Sequence, residues 1–589
     1  MNNNSGSANH QSPTGHDFTS YEKARLRQRF VTGHDFSRAA SAAKRRWALA
    51  PALKGTGFSV KGAGFSPYIE PSNSMRALAP EGRRINGTAL LRKPKPCNIS
   101  PVVIAATICI ALLAPTPLPA QQNKPWEKIP IPKLHEFRPQ QPRRIELKNG
   151  IVLFLQEDHE LPFVSGAVLI PGGSRDEPVA KAGLVGLYGQ AWRTSGTAKM
   201  DGDALDDLLE AKAAHIETAG DDDSTALSWD SLKGDADQVF SLAMDLLFNP
   251  KFNQEKLALA QQQEAAGIVR RNDDESGIAD RESAKLVYGV NSPYTIQPEL
   301  ATIGAVTVDD LNAWHDRTVG GKEGGGKLIV GISGDFDPIA MEAKLRAALE
   351  ILPPVKPTPP RHDVFVGPKP GVYFIDKQDV NQSDVEIVAM GIDRHNPDVP
   401  AVAVMNEILG GGFASRLFQK VRTELGLAYE VGGGVSFAYD HPGPFHTVVL
   451  TKSSSTVDAT KAALAEIAGM NTRPFTQEEL ARAKDNLLNS FLFLYDTRDK
   501  VLAERERLEF YGYPADYLET YKSALEKVTL TDLTAAAKKY IHPDKLAILV
   551  VGNGPEIKPG LDELNMGPTH PIDITIPMPA RPAAEEKNQ

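Results

Sequence analysis

Hydrophobic positions change their pattern along the chain. Up to about residue 124 they show no strand or helix period, apart from one apolar run, Val102–Ala114, interrupted only by Thr107. From Ile145 onward they fall into the periods of regular structure. Ile145–Leu155 reads as a hairpin, with Asn149-Gly150 supplying the positive dihedrals of a tight turn. Phe163–Ile170 is an apolar strand. Helices are expected from about Val179 to Arg193 and from Asp203 to Ala213, followed by strands at His215–Ala219 and Thr225–Ser231. Val239, Leu242, Ala243 and Leu246 repeat with the helical period. A strand at Leu328–Ser333 ends the series at Gly334-Asp335-Phe336.

The series then starts again. Pro353 to Pro360 form a stiff linker, after which strands are expected near Val372–Ile375 and Val385–Ala389 and a helix at Val402–Leu409. The residues repeat as well as the pattern. Phe252-Asn-Gln-Glu-Lys-Leu-Ala-Leu-Ala matches Phe475-Thr-Gln-Glu-Glu-Leu-Ala-Arg-Ala, 223 positions later. Val306-Thr-Val-Asp-Asp-Leu matches Val528-Thr-Leu-Thr-Asp-Leu, 222 positions later. Two matches whose offsets differ by a single residue indicate a tandem duplication of an α+β unit, residues 137–352 and 368–557, joined by a Pro-rich linker at 353–367. Residues 558–589 read as an extended Pro-rich tail.

Composition changes the picture mainly at the N-terminus. With 41% apolar and 24% charged residues among 589, the chain is neither fully disordered nor a polytopic membrane protein. The net charge of -9 conceals a basic first hundred residues, 16 Lys/Arg against 5 Asp/Glu, and so an acidic body unsuited to nucleic acid. Residues 1–96 are Gly-, Ser-, Arg- and Ala-rich with short repeats, and read as a disordered or mis-started extension, Met75 being a second possible start. Arg92, Lys93 and Lys95 precede the 13-residue apolar run and a Pro-Thr-Pro-Leu-Pro-Ala segment ending at Ala120. Residues 97–120 therefore read as a secretory signal, followed by a Pro-rich linker at 121–136. Cleavage near Ala120 would remove Cys97 and Cys109 and leave a thiol-free chain suited to an exported, periplasmic location. The alternative is a membrane anchor through an uncleaved segment 101–119.

Several motifs resemble one family. Gly172-Gly173-Ser174-Arg175-Asp176-Glu177-Pro178 with Lys181-Ala182-Gly183-Leu184 resembles the insulinase-type inverted zincins, which include pitrilysin and the mitochondrial processing peptidase. Asn249-Pro250-Lys251-Phe252, Tyr288-Gly289, Pro293-Tyr294 and Gly334-Asp335-Phe336 agree, as do Leu409-Gly410-Gly411-Gly412, Ser415-Arg416-Leu417-Phe418 and Gly426-Leu427-Ala428-Tyr429 in the second half. The resemblance implies an α+β fold made of a tandem pair of homologous domains. Each would be an antiparallel-rich sheet packed with helices, and together they would form a clam-like chamber.

That family holds zinc with two histidines four apart on one helical face, a glutamate between them to activate water, and a distant second glutamate. Here the matching positions are Gly186 and Gln190 for the histidines, Gly189 for the catalytic glutamate and Gly267 for the distant ligand. None offers a zinc ligand or a base, so the chain is expected to bind no metal and to cleave no peptide alone. His159, His215 and Asp221-Asp222-Asp223 could ligate metal by residue type. His159 reads instead as a solvated loop residue and the aspartates as a hairpin tip.

The second half keeps what the first has lost. The family also uses an arginine and a tyrosine seven residues apart, and Arg422 and Tyr429 have that spacing. A guanidinium offers fixed donors to peptide carbonyls, and a phenol can donate to a developing oxyanion. The plainer reading pairs Arg422 with Glu424 and makes Tyr429 the start of a strand. The Gly432-Gly433-Gly434 run allows close backbone approach or a strand bulge. By resemblance, Ile216, Glu217 and Thr218 lie on an edge strand to which peptide adds as a further strand. These features suggest a non-catalytic, substrate-binding subunit of a heteromeric exported zinc metallopeptidase. It would take unstructured peptides and lend Arg422 and Tyr429, with Tyr429 as oxyanion donor in trans, to a paralogous partner that carries the zinc. A non-enzymatic structural or peptide-binding protein of the same fold is the alternative.

Overall fold

A computed structural model describes residues 139–320, 325–356 and 365–578. The expectations for 1–96, 97–120 and 121–136 lie outside these residues, as do 357–364 of the linker and the chain from 579 on. The first half builds one six-stranded sheet from β1 (Arg143–Glu146), β2 (Val152–Glu157), β3 (Phe163–Pro171), β4 (His215–Gly220), β5 (Ser224–Leu232) and β6 (Ile329–Gly334). Their order is β1-β2-β6-β3-β5-β4, with only β2 and β6 parallel.

The second half supplies β7 (Gly371–Asp376), β8 (Gln382–Met390), β9 (Ile392–Asp393), β10 (Ala428–Val435), β11 (Phe437–Ala438), β12 (Pro444–Lys452), β13 (Ala547–Gly552) and β14 (Thr569–Pro571). The large sheet runs β10-β12-β8-β13-β7-β14, while β9 and β11 form a small separate pair. Read in reverse, this is the first sheet again: β7 takes the place of β2, β13 of β6, β8 of β3, β12 of β5 and β10 of β4. The duplication seen in the residues is thus a duplication of topology.

Each sheet lays one face on its own helices. Those used below are α1 (Leu184–Ser195), α2 (Gln254–Val269), α3 (Glu275–Tyr288), α4 (Val308–His315), α5 (Val399–Leu409) and α6 (Arg498–Phe510). The other face is covered by exchange. Helix α3 of the first half places Ile278 and Ala279 against Ile375, Leu549 and Val551 of the second sheet. Helix α6 of the second half places Leu502 and Phe510 against Val152, Phe154 and Ile329 of the first. Burial on both faces explains why β2 and β13 read as continuous apolar runs rather than alternating ones. It also makes each half depend on the other for part of its core.

Three expectations need correction. The tail expected from 558 is partly structured: Leu561–Leu564 form a short 3-10 turn, and β14 adds parallel to β7 while Ile572 and Ile574 pack beneath it. An open edge on β7 would otherwise expose unpaired backbone groups. At the first hairpin only Gly150 takes a positive φ, of 90°. Asn149 does not; its buried amide donates to the carbonyls of Leu349 (2.9 Å) and Leu352 (3.2 Å), tying off the end of the helix Pro338–Leu349. The helix expected from Val179 begins at Leu184, because Gly183 sits at φ 101° and Val179–Lys181 form a separate 3-10 turn.

Candidate functional site

Helix α1 carries the degenerate zinc motif. The Glu177 carboxylate caps its start, accepting the N–H groups of Gly183 (2.7 Å) and Val185 (2.9 Å). Leu184, Leu187, Tyr188, Ala191 and Trp192 bury its inner face. The Tyr188 hydroxyl bonds His315 Nδ1 at 2.8 Å, His315 Nε2 bonds the Leu247 carbonyl at 3.1 Å, and the Trp192 indole donates to the Leu246 carbonyl at 2.8 Å. Burial pushes the His315 imidazole down to about 4, so the ring is neutral at physiological pH.

Of the three motif positions on this helix, Gly186 is exposed, Gln190 half-buried and Gly189 buried. A Cβ at Gly186, or at Gly267 on α2, would meet nothing within 4 Å. A Cβ at Gly189 would lie 2.8 Å from Gly220 N and 3.0 Å from the Ala219 carbonyl carbon, because the end of β4 closes over it. Thr218 Oγ1 fastens that contact by donating to the Gly189 carbonyl at 2.7 Å. The position equivalent to the catalytic glutamate has therefore lost both its carboxylate and the room for one. With two open glycines, one obstructed glycine and one amide, the donor set does not fit zinc, which takes imidazole, thiolate or carboxylate. No hydrolytic step can be routed through it.

Strand β4 is the terminal strand of its sheet. The Ile216 side chain is buried in the core, Glu217 is exposed and Thr218 half-buried. The Ile216 carbonyl accepts Arg193 Nε at 2.7 Å, so one backbone acceptor of the edge is already in use. The other metal candidates by type have partners: His159 lies between Glu157 (2.6 Å) and Asp335 (2.5 Å), and His215 contacts Asp230 at 3.2 Å.

Arg422 and Tyr429 come together from different elements. Arg422 lies on a π-helical turn, Phe418–Glu424, and Tyr429 near the start of β10, the edge strand of the second sheet. The ladder with β12 slips between Ala428 and Glu430, leaving Tyr429 at a bulge and 63% exposed. The Arg422 guanidinium stacks 4.8 Å from the Phe418 ring centre and 5.5 Å from that of Tyr429. Glu424 pairs with Lys420 instead, and among the described residues Arg422 has no ion pair. The Gly432–Gly434 run serves packing, since Gly433 approaches Gly410 and Gly434 approaches Asn406 at the end of α5.

Sequence reasoning missed a polar junction between the halves. Arg175 donates to Tyr294 Oη (2.8 Å) and pairs with Asp223 (2.7 Å) of its own half and Asp440 (2.6 Å) of the other. Tyr511 donates to Asp223, and Tyr288 donates to the Pro442 carbonyl at 2.9 Å. The aspartates form the expected hairpin tip between β4 and β5, and through Asp223 that tip also contacts the other half. Burial, partly offset by Arg175 and Tyr511, pushes Asp223 up to about 6. Burial also opposes ionisation of Asp440, yet the His441 hydrogen bond and the Arg175 charge hold it down to about 2. The signal lay in Arg175, Tyr288 and Tyr294, all within the motifs quoted above.

Fold and site together define a duplicated α+β protein of metallopeptidase architecture whose zinc positions are empty of ligand side chains. Residues 152–276 match the insulinase (peptidase family M16) model, and residues 305–487 match the model of the peptidase M16 inactive domain. The non-peptidase homolog YmxG of Helicobacter pylori is 25% identical over 411 residues, which is 68% of this chain and 92% of that protein. An uncharacterized zinc protease of Streptomyces coelicolor is 24% identical over 60% of this chain and 78% of its own length. The crystal structure of a peptidase M16 inactive domain from Pseudomonas fluorescens superposes with a TM-score of 0.63 at 25% identity, covering 70% of this chain and 98% of that one. The chain belongs to the M16 peptidase family, and it is a non-catalytic member of it.

Proposed function

We propose that this chain is the substrate-clamping subunit of a heteromeric, exported zinc metallopeptidase, completing the site of a paralogous zinc-bearing partner. The observation that carries the reading is the Arg422–Tyr429 pair. Both residues are solvent-facing, Arg422 has no ion pair among the described residues and Tyr429 sits at the bulge of an edge strand, while the zinc positions of the same chain have decayed. A guanidinium held by two rings keeps its N–H edges for peptide carbonyls, and the adjacent phenol supplies one donor to the oxyanion formed at the partner's zinc. The leader pattern supports export to the periplasm. The rival reading, a peptide-binding or structural protein without a catalytic partner, is favoured by the Arg193–Ile216 bond, which occupies part of the β4 edge.

The two readings separate in a mixing experiment. Added to its zinc-bearing partner, the chain should raise cleavage of unstructured peptides, and Tyr429→Phe should remove most of the gain, about 10²–10³ in turnover if it acts as other oxyanion donors do. Arg422→Ala should act mainly on KM. Full activity of the Tyr429→Phe mixture, with the complex intact by gel filtration, refutes the clamp role and leaves the structural reading.

A further inference from the structure

Beyond β14 the chain continues Ile572-Asp573-Ile574-Thr575-Ile576, with each isoleucine half-buried and each residue between them exposed. That alternation is the period of an extended segment lying with one side down. Its two ends rest on different halves. At the start, β14 pairs in parallel with β7, from Thr569 opposite Val372 to Pro571 opposite Phe374, and Ile572 N–H donates to the Phe374 carbonyl at 2.9 Å. Ile572 and Ile574 then pack where α3 of the first half meets Ile375, Leu549 and Val551 of the second sheet. At the far end Ile576 packs against the core of the first half.

We propose that residues 569–578 are a strap between the halves, rooted on the second sheet and releasable from the first, which sets how readily the two halves part. The two attachments differ in strength. The root is a backbone ladder, and lifting it would bare the edge of β7. Among the described residues, the first half holds the strap by one hydrogen bond, from the Asn272 amide to the Ile574 carbonyl at 2.7 Å, and by contact with half-buried isoleucines. Contacts of that kind open locally at far less than the cost of global unfolding. Pro577 and Met578, which follow, are exposed. Asn272 also ties the strap to the crossing itself. It lies in the loop between α2 and α3, its Oδ1 accepts Arg281 of α3 at 2.7 Å, and its carbonyl accepts Lys377 Nζ from the second half at 3.1 Å. Release at Ile574 and Ile576 therefore loosens the seat of α3 on the foreign sheet while leaving the ladders of both sheets in place. On the outer side Asp573 accepts the Thr575 N–H (2.8 Å) and hydroxyl (2.6 Å), so the segment is shaped by its own residues and can dock again after release.

The proposal does not depend on the peptidase reading. The test is hydrogen exchange followed by mass spectrometry on the full chain, on Ile576→Asp and on a chain ended after Pro571, with one ended after Met578 as the control. Release should speed exchange about fivefold or more in α3, and also in α6, where the second half covers the first sheet, while β2, β6, β8 and β13 keep their rates. Ile576→Asp leaves the root in place and decides the matter if the shortened chain does not fold. Unchanged exchange in α3 and α6 overturns the proposal. Acceleration confined to α3 and the strap also overturns it, since the halves then stay together. So does acceleration of the four strands along with the helices, which would make the segment an ordinary part of the core.

Discussion

Acid should loosen the helix that carries the degenerate motif, and His315 is the group through which it acts. The imidazole is 7% exposed and lies among Trp192, at 5.3 Å between ring centres, and Tyr188 and Phe252, each at 6.1 Å. Its Nε2–H donates to the Leu247 carbonyl and its Nδ1 accepts the Tyr188 hydroxyl, an arrangement suited to the neutral ring. Burial lowers its pKa from 6.5 to about 4. Because the folded value is depressed, the unfolded chain binds the proton more readily. The contribution to stability is full above pH 6.5 and is lost as pH falls towards 4. At 1.36 kcal/mol per unit the loss approaches about 3 kcal/mol. Asp223, raised to about 6, works in the opposite direction: its contribution is full below the unfolded value of 3.8 and lost as pH rises through 6. The measurement is therefore a difference. Urea unfolding of wild type and His315→Gln across this range should show the variant's deficit shrinking by about 3 kcal/mol between neutral pH and pH 4. Parallel stability curves would refute the assignment.

Two further outcomes follow from packing and from the junction. Gly189→Ala should destabilise the chain by roughly 1–2 kcal/mol, the overpacking against Gly220 outweighing the gain in helix propensity; Gly186→Ala, in open space, should gain up to about 1 kcal/mol in the same urea assay. Asp440→Asn should cost roughly 1–3 kcal/mol by weakening the Arg175 contact between halves, and hydrogen exchange should show faster opening around Asp221–Asp223 than elsewhere.

Local chemistry made much of this protein legible in its sequence. Alternating residues of β5 and the helical period of Val239 to Leu246 announce their elements because one face is buried and the other is wet. The tandem repeat was visible because two copies of one unit keep the same caps and apolar contacts: Thr307 and Thr529 each cap a helix through the same box with Asp310 and Asp532. The lost zinc ligands could be read directly, since a glycine has no side chain to place. The spacing of Arg422 and Tyr429 was equally plain, although the π-helical turn and the bulge that aim them were not.

What tertiary structure decided is everything that joins residues far apart in the chain. The closing of β4 over Gly189, the Arg175–Asp440 junction and the edge strand made from the supposed tail have no local signal. A helix records in its sequence that it has a buried face, because water is excluded from that face whatever covers it. It does not record which sheet does the covering. Here α3 and α6 cover each other's sheets, and only that exchange brings Ile278 to β13 and Leu502 to β2.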